Sequence, residues 1–147
     1  MPRIKIDLPK EFSFTCSIPV RISDVNYGGH VGNDAILSIL HEARLQFLKS
    51  YGWTEMNVAG VSLIMSDVGI EFKGEAFYGE TIIASVVAGD ASRVGFDLYY
   101  KLTKQTTDKE VVVALAKTGM VCFDYNTRKV ASLPPAAAKA LKLTKES

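Results

Sequence analysis

The chain reads as one α+β domain in which a single long helix lies on an antiparallel sheet. Three observations predict it. Apolar and polar residues alternate with period two in several runs. One run alone, residues 33–51, switches to helical spacing. The connections after it are short and rich in turn residues. The chain's 147 residues suffice for one substantial core, and no linker, repeat or low-complexity block divides 1–147.

The first run, 12–23, places Phe12, Phe14, Cys16, Ile18, Val20 and Ile22 on one side and polar residues on the other. Pro19 argues for an edge strand or a bulge there. A glycine-rich turn follows, and Asn33 or Asp34 is placed to cap a helix that runs to Tyr51 and stops at Gly52. Ile36, Ile39, Leu40, Ala43 and Phe47 form its apolar stripe, with Arg44 and Lys49 off it. Four strands are then expected over 61–72, 81–88, 94–102 and 110–124, the first broken by a bulge near Ser66 and Asp67. Turn residues at 78–80, 89–90 and 106–109 suggest meander order, and the alanine-rich 136–143 a short terminal helix. A sheet of this size covers only one face of its helix and leaves its edge strands open, so oligomerisation is expected.

The bulk composition excludes several classes. A net charge of +1 offers no electrostatic ground for binding nucleic acid or an anionic membrane. No apolar run reaches the ~18 residues of a membrane span, and Met1–Lys10 lacks the apolar core of a signal peptide. Cys16 and Cys122 form no spaced metal or redox motif; as buried free thiols they fit a cytoplasmic protein.

The densest chemistry lies in Asp24-Val-Asn26-Tyr-Gly-Gly-His30-Val-Gly32-Asn33-Asp34. A carboxylate, a carboxamide, an imidazole and three glycines meet where a strand becomes a helix. Amides at a helix start point outward, and the helix dipole favours negative charge there. Such a turn suits chemistry that builds an oxyanion.

The run from Val20 to Asn33, followed by His41-Glu-Ala-Arg44, resembles V-R-x-x-D-x-D-x-x-G-H-V-N-N and E-A-R of the hotdog-fold acyl-thioester hydrolases, in the branch of 4-hydroxybenzoyl-CoA thioesterase. Ile70 to Glu80 and Phe123 to Pro134 resemble the family's later blocks in the same order. The resemblance implies a five-stranded antiparallel sheet wrapped around one long helix. It also implies a homodimer or homotetramer with interfacial active sites, a CoA or acyl carrier protein thioester as substrate, and no metal or other cofactor.

Its implied site falls on named residues. The helix-start amide that polarises the carbonyl lies at Asn33, with Gly32 allowing close approach; a plain turn and cap is the alternative. The family's usual nucleophile or base is the second aspartate of D-x-D, and here it is Asn26, which cannot take a proton. Asp24 keeps the first position, with a turn-pinning role as its simpler use.

Plant acyl-carrier-protein thioesterases carry D-x-N-x-H where this chain has Asn26-Tyr-Gly-Gly-His30, and their downstream glutamate aligns with Glu75. That similarity implies His30 as the base that activates water, Glu75 as its partner and Asn26 as a positioning group. A loop histidine bonded to backbone and an exposed strand-end carboxylate are the alternatives. Glu42 has a lesser catalytic claim, and Arg93 a claim on a CoA phosphate against an ordinary solvated turn. Thioester hydrolysis is the function these residues imply; a non-catalytic acyl-CoA binding protein of the same fold is the alternative.

Overall fold

A computed structural model describes residues 3–143. Met1, Pro2 and residues 144–147, the ends of the expected domain, lie outside the described residues. The elements are β1 (Phe14–Pro19), α1 (Asn33–Lys49), β2 (Ser62–Phe72), β3 (Thr81–Gly89), β4 (Gly95–Gln105), β5 (Glu110–Asp124), β6 (Lys129–Val130) and α2 (Pro135–Ala140). The sheet runs β1-β3-β4-β5-β2 with every pair antiparallel, and the two-residue β6 adds to β5.

The helix stripe is as expected: Ile36, Ile39, Leu40, Ala43 and Phe47 are all buried. They meet a sheet face made of Ile82, Ala84, Val86, Leu98, Tyr100, Leu102, Ala114 and Ala116. These residues lie in register, Ala84 opposite Leu102 opposite Ala114 and Val86 opposite Tyr100 opposite Ala116, so the apolar rows align across the strands. The bulge near Ser66 is present as a register shift between Met65 and Asp67. Pro19 sits at the end of the edge strand β1, where its missing N–H leaves no gap in a central ladder.

Five expectations are corrected. The first strand covers only residues 14–19, because Asp24 folds Ile22–Asp24 into a 3-10 turn that leaves Ile22 70% exposed. Gly32, and not Asn33 or Asp34, is the N-cap of α1, which ends at Lys49. Arg44 does not lie off the buried face; it is itself buried. The expected meander holds only for β3-β4-β5, since β2 pairs with β5 at the far edge. The chain must therefore cross roughly 14 Å of sheet from β2 to β3. Residues 73–80 make this crossing and pair with the loop before α1 instead of closing a hairpin. The terminal helix covers Pro135–Ala140, with proline in its first turn.

Arg44 remains charged inside the fold because its partners are complete. Its Nε donates to Glu55 Oε2 at 2.9 Å and its Nη1 to the Tyr100 hydroxyl at 3.3 Å. Tyr100 in turn shares a 2.7 Å hydrogen bond with Thr118, and His41 Nε2 lies 2.8 Å from Glu55 Oε1.

The two cysteines are free. Burial pushes the Cys122 thiol up to about 11, and burial, with help from Glu42, also raises Cys16. A thiol-selective reagent at about pH 8 should therefore leave Cys122 unmodified until the protein unfolds. Rapid labelling of Cys122 in the native state would contradict that placement.

Candidate active site

The loop between β1 and α1 is built by its own backbone. Asp24 is buried, and its carboxylate accepts from the Arg21 amide at 2.8 Å and from the Arg21 guanidinium at 3.2 Å. Its carbonyl accepts from Gly32 N at 3.0 Å. Asp24 thus pins both ends of the turn. Asn26 N donates to the His30 carbonyl at 2.9 Å, and Asn26 Oδ1 accepts from Gly28 N at 2.9 Å, an Asx turn that fixes the carboxamide.

His30 is half-buried, with Nδ1 3.0 Å from the Val31 carbonyl. A carbonyl can only accept, so Nδ1 carries a proton, and in the neutral ring Nε2 is the nitrogen with the lone pair. Nε2 lies on the Gly28 side, 3.4 Å from where a Cβ would stand on that glycine. A side chain there would crowd the ring and Asn26 Oδ1 together.

The loop is held against the β2–β3 crossing. Val31 N donates to Ala76 O at 2.8 Å, and His30 forms an antiparallel bridge with Phe77. Further back, Lys73 N and Gly74 N both donate to Val113 O, at 2.9 and 3.0 Å. Lys73 falls opposite Val113 in the register that pairs Phe72 with Ala114, so its bond extends the β2–β5 ladder by one residue. Gly74 passes so close that a Cβ would lie 2.7 Å from Val112 O.

This crossing borders an open cavity of about 270 Å³ lined by His30, Asn33, Ile36, Phe72, Glu75 and Val113, among others. His30, Asn33 and Glu75, which sequence reasoning singled out, therefore share one space. Ile36 N donates to Gly32 O at 3.1 Å as the first helical hydrogen bond, so the amides of Asn33, Asp34 and Ala35 have no intrahelical acceptor. The cavity thus gathers an imidazole, the first residue of a helix and a carboxylate beside the apolar side chains of Ile36, Phe72 and Val113. Glu75 is exposed, and among the described residues no hydrogen bond joins it to the His30 ring.

A family model described as the thioesterase-like superfamily matches residues 20–141. The chain belongs to the thioesterase-like superfamily. It is 28% identical over 128 residues to 1,4-dihydroxy-2-naphthoyl-CoA hydrolase of Nostoc punctiforme, covering 83% of this chain and 82% of that protein. Among solved structures, a 1,4-dihydroxy-2-naphthoyl-CoA thioesterase from Synechocystis superposes with TM-score 0.77 at 25% identity, over 88% of this chain and 95% of the other. A 4-hydroxybenzoyl CoA thioesterase, solved with 4-hydroxybenzoyl CoA, superposes with TM-score 0.77 at 14% identity, over 87% of this chain and 97% of the other. At that identity the last match speaks for the fold alone, and the fold is the hotdog fold.

Within this thioesterase-like chain the remaining candidates are dispersed. Gly32 caps α1, and a Cβ on it would stand 3.7 Å from Asn26 Cβ and 2.7 Å from Asp34 Oδ1, so it keeps the turn compact. Glu42 is exposed, accepts from Gln46 at 2.8 Å and lines a different cavity between β1 and α1 with Arg21 and His41. Arg93 follows the end of β3, about 30 Å along that nine-residue strand from the His30 end. One chain therefore does not bring Arg93 to the His30 cavity. Trp53 stacks on Tyr51 at 4.9 Å and packs its loop.

Sequence reasoning missed Phe72 and Val113, which close the cavity, and the ion pair of Lys104 with Glu80 beside it. A signal for Lys104 was available: it continues the inward row Leu98, Tyr100, Leu102 in β4. Among the described residues, no group of His, Cys, Asp and Glu is arranged to hold a metal ion, and no helix is long and apolar enough to cross a membrane.

Proposed function

We propose that this protein hydrolyses an acyl thioester of CoA or acyl carrier protein in the cavity of His30, Asn33 and Glu75. The observation that carries the reading is the cavity that His30 shares with Asn33, the first residue of α1; Nδ1 of His30 is occupied by the Val31 carbonyl, so in the neutral ring Nε2 is left as the base. Water activated by Nε2 adds to the thioester carbon, and the carbonyl oxygen, now an oxyanion, accepts from the free first-turn amides at Asn33. Collapse breaks the C–S bond, and the proton held by His30 passes to the departing sulfur. Glu75 stabilises the transient imidazolium across the cavity, while the NH2 of Asn26 orients water or carbonyl. None of these steps calls for a cofactor.

The substrate reading follows the relatives: CoA esters are named for the Nostoc and Synechocystis proteins, and an apolar floor of Ile36, Phe72 and Val113 suits an aromatic or alkyl acyl group. We further read the active form as a homodimer, with pairing to a tetramer open to it. Among the described residues the outer edge of β2 has no strand partner, and α1 packs on β1 and β3 at the opposite side. Met65, Val68 and Phe72 on β2 are 39%, 39% and 49% exposed, an apolar row that a second copy would cover. Arg93 can meet a CoA phosphate only at the site of another subunit. Two free thiols fit the reducing cytoplasm.

The test is thiol release from a panel of acyl-CoA esters. Turnover with at least one ester is expected, and Asn26→Asp should raise kcat, by up to about 100-fold if the added carboxylate acts as a base. Binding of CoA esters without turnover between about pH 6 and about pH 9 would favour the non-catalytic reading, for which Asn26 in place of a carboxylate is the relevant observation.

A further inference from the structure

The crossing that carries Glu75 is locked from behind by an ion pair with no part in the chemistry proposed above. Lys104 ends the inward row of β4 and is only 9% exposed. Its Nζ donates to both oxygens of Glu80, at 3.0 and 3.1 Å, and lies 4.9 Å from the centre of the Phe77 ring. Glu80 Oε1 also accepts from Phe77 N at 2.7 Å, and Glu80 N donates to Phe77 O at 3.1 Å. The turn 77–80 is thus closed twice, with Gly79 at φ +91° supplying the left-handed residue it needs.

The same turn is tied to both flanks of the His30 loop. Glu80 O accepts from Val20 N at 2.9 Å, Ala76 O accepts from Val31 N at 2.8 Å, and Phe77 bridges His30. Glu75 lies two residues before Phe77. Its place relative to His30 therefore depends on a turn whose shape Glu80 fixes and whose orientation Lys104 fixes. Stability alone does not call for a lysine here. The rest of the row is apolar, and replacing a buried ion pair by packed apolar groups is often neutral or favourable.

We propose that Lys104 and Glu80 are positioning residues of the His30 site, holding Glu75 and the His30 loop in register through Phe77. The proposal rests on the thioesterase reading of that site. Its test uses Lys104→Met, which keeps the length of the side chain over Phe77, together with Glu80→Gln and Glu80→Ala.

In Lys104→Met, kcat for thiol release is expected to fall between about tenfold and about 100-fold, the usual consequence of a misplaced group, with KM within about twofold of wild type. Amide hydrogen exchange at Val31 and Phe77 should accelerate about tenfold, while Leu40 and Tyr100 in the core stay protected. Glu80→Gln retains an acceptor for the Phe77 amide, so it should keep more kcat than Glu80→Ala. If Lys104→Met is too unstable to assay, the Glu80 pair decides.

Unchanged kcat and unchanged exchange overturn the proposal. So does exchange that accelerates equally at all four amides, which marks a general loss of stability. Unchanged turnover in Lys104→Met beside a large loss in His30→Ala refutes this proposal alone. Unchanged turnover in His30→Ala refutes the site reading on which it rests.

Discussion

His30→Ala is expected to lower kcat for thiol release by about 10²- to 10⁴-fold, the range a positioned general base contributes. The structure gives the reason for placing the effect in kcat. His30 is held by its backbone, through Asn26 N and the Phe77 bridge, so removing the ring leaves the loop in place. The helix N-terminus and the apolar lining remain to bind substrate, and KM should move little. Glu75→Ala should cost less, roughly tenfold, since an exposed carboxylate is screened by solvent. Stopped or continuous assays of released thiol measure both. A His30→Ala protein with wild-type kcat would mean that the base lies elsewhere, and Glu42 in the β1–α1 cavity would be the next candidate.

The largest expected effect on stability is at Glu55. Glu55→Ala should destabilise the fold by about 3 kcal/mol, because it leaves the Arg44 guanidinium buried without its counter-ion. For a chain of this size that corresponds to a melting temperature lower by about 10 °C. Although burial opposes ionisation of Glu55, hydrogen bonds from His41 and Arg44 and the Arg44 charge outweigh it and hold the carboxyl below its ordinary 4.5. On Arg44, burial likewise opposes the charge, and Tyr100 and Glu55 more than restore it.

The sign for pH follows from the lowered carboxyl. The contribution of Glu55 is fully present above about 4.5 and is lost as the pH falls through its lower folded value. The stability gap between wild type and Glu55→Ala should therefore be constant near neutrality and close in acid. Thermal melts at several pH values measure it, and a gap independent of pH down to strong acid would count against the ion pair. Arg44→Met combined with Glu55→Leu should cost less than Glu55→Ala alone, since it leaves no unpaired charge.

Much of this architecture was legible in the residues. The stripe Ile36, Ile39, Leu40, Ala43 and Phe47 fixed which side of the helix faces the sheet, and all five are buried. The period-two rows of β4 and β5 and the break at Ser66 were readable because each pairs local spacing with burial on one face. Charge is an ordinary mark of exposure, and Arg44 departs from it. Its angular position, between Leu40 and Phe47, puts it on the buried side, and only Glu55 and Tyr100 make that tolerable.

The place of β2 was not legible for a different reason. Tyr78-Gly79-Glu80 encodes a turn but not the partner the turn serves, and that partner is the His30 loop. For the site, the turn chemistry of residues 24–33 showed in the sequence, since its bonds are local. The pairing of His30 with Glu75 came through the family resemblance and not through local spacing, and the place of Phe72 did not show at all, because both depend on the crossing of residues 73–80.

A crystal structure with a non-hydrolysable acyl-CoA thioether or amide tests the central claim most directly. The account predicts the ligand's carbonyl within about 3 Å of the Asn33 amide, with His30 Nε2 at hydrogen-bond distance from a water on the reacting carbon. A ligand carbonyl seated instead between β1 and α1, beside Glu42, would contradict it.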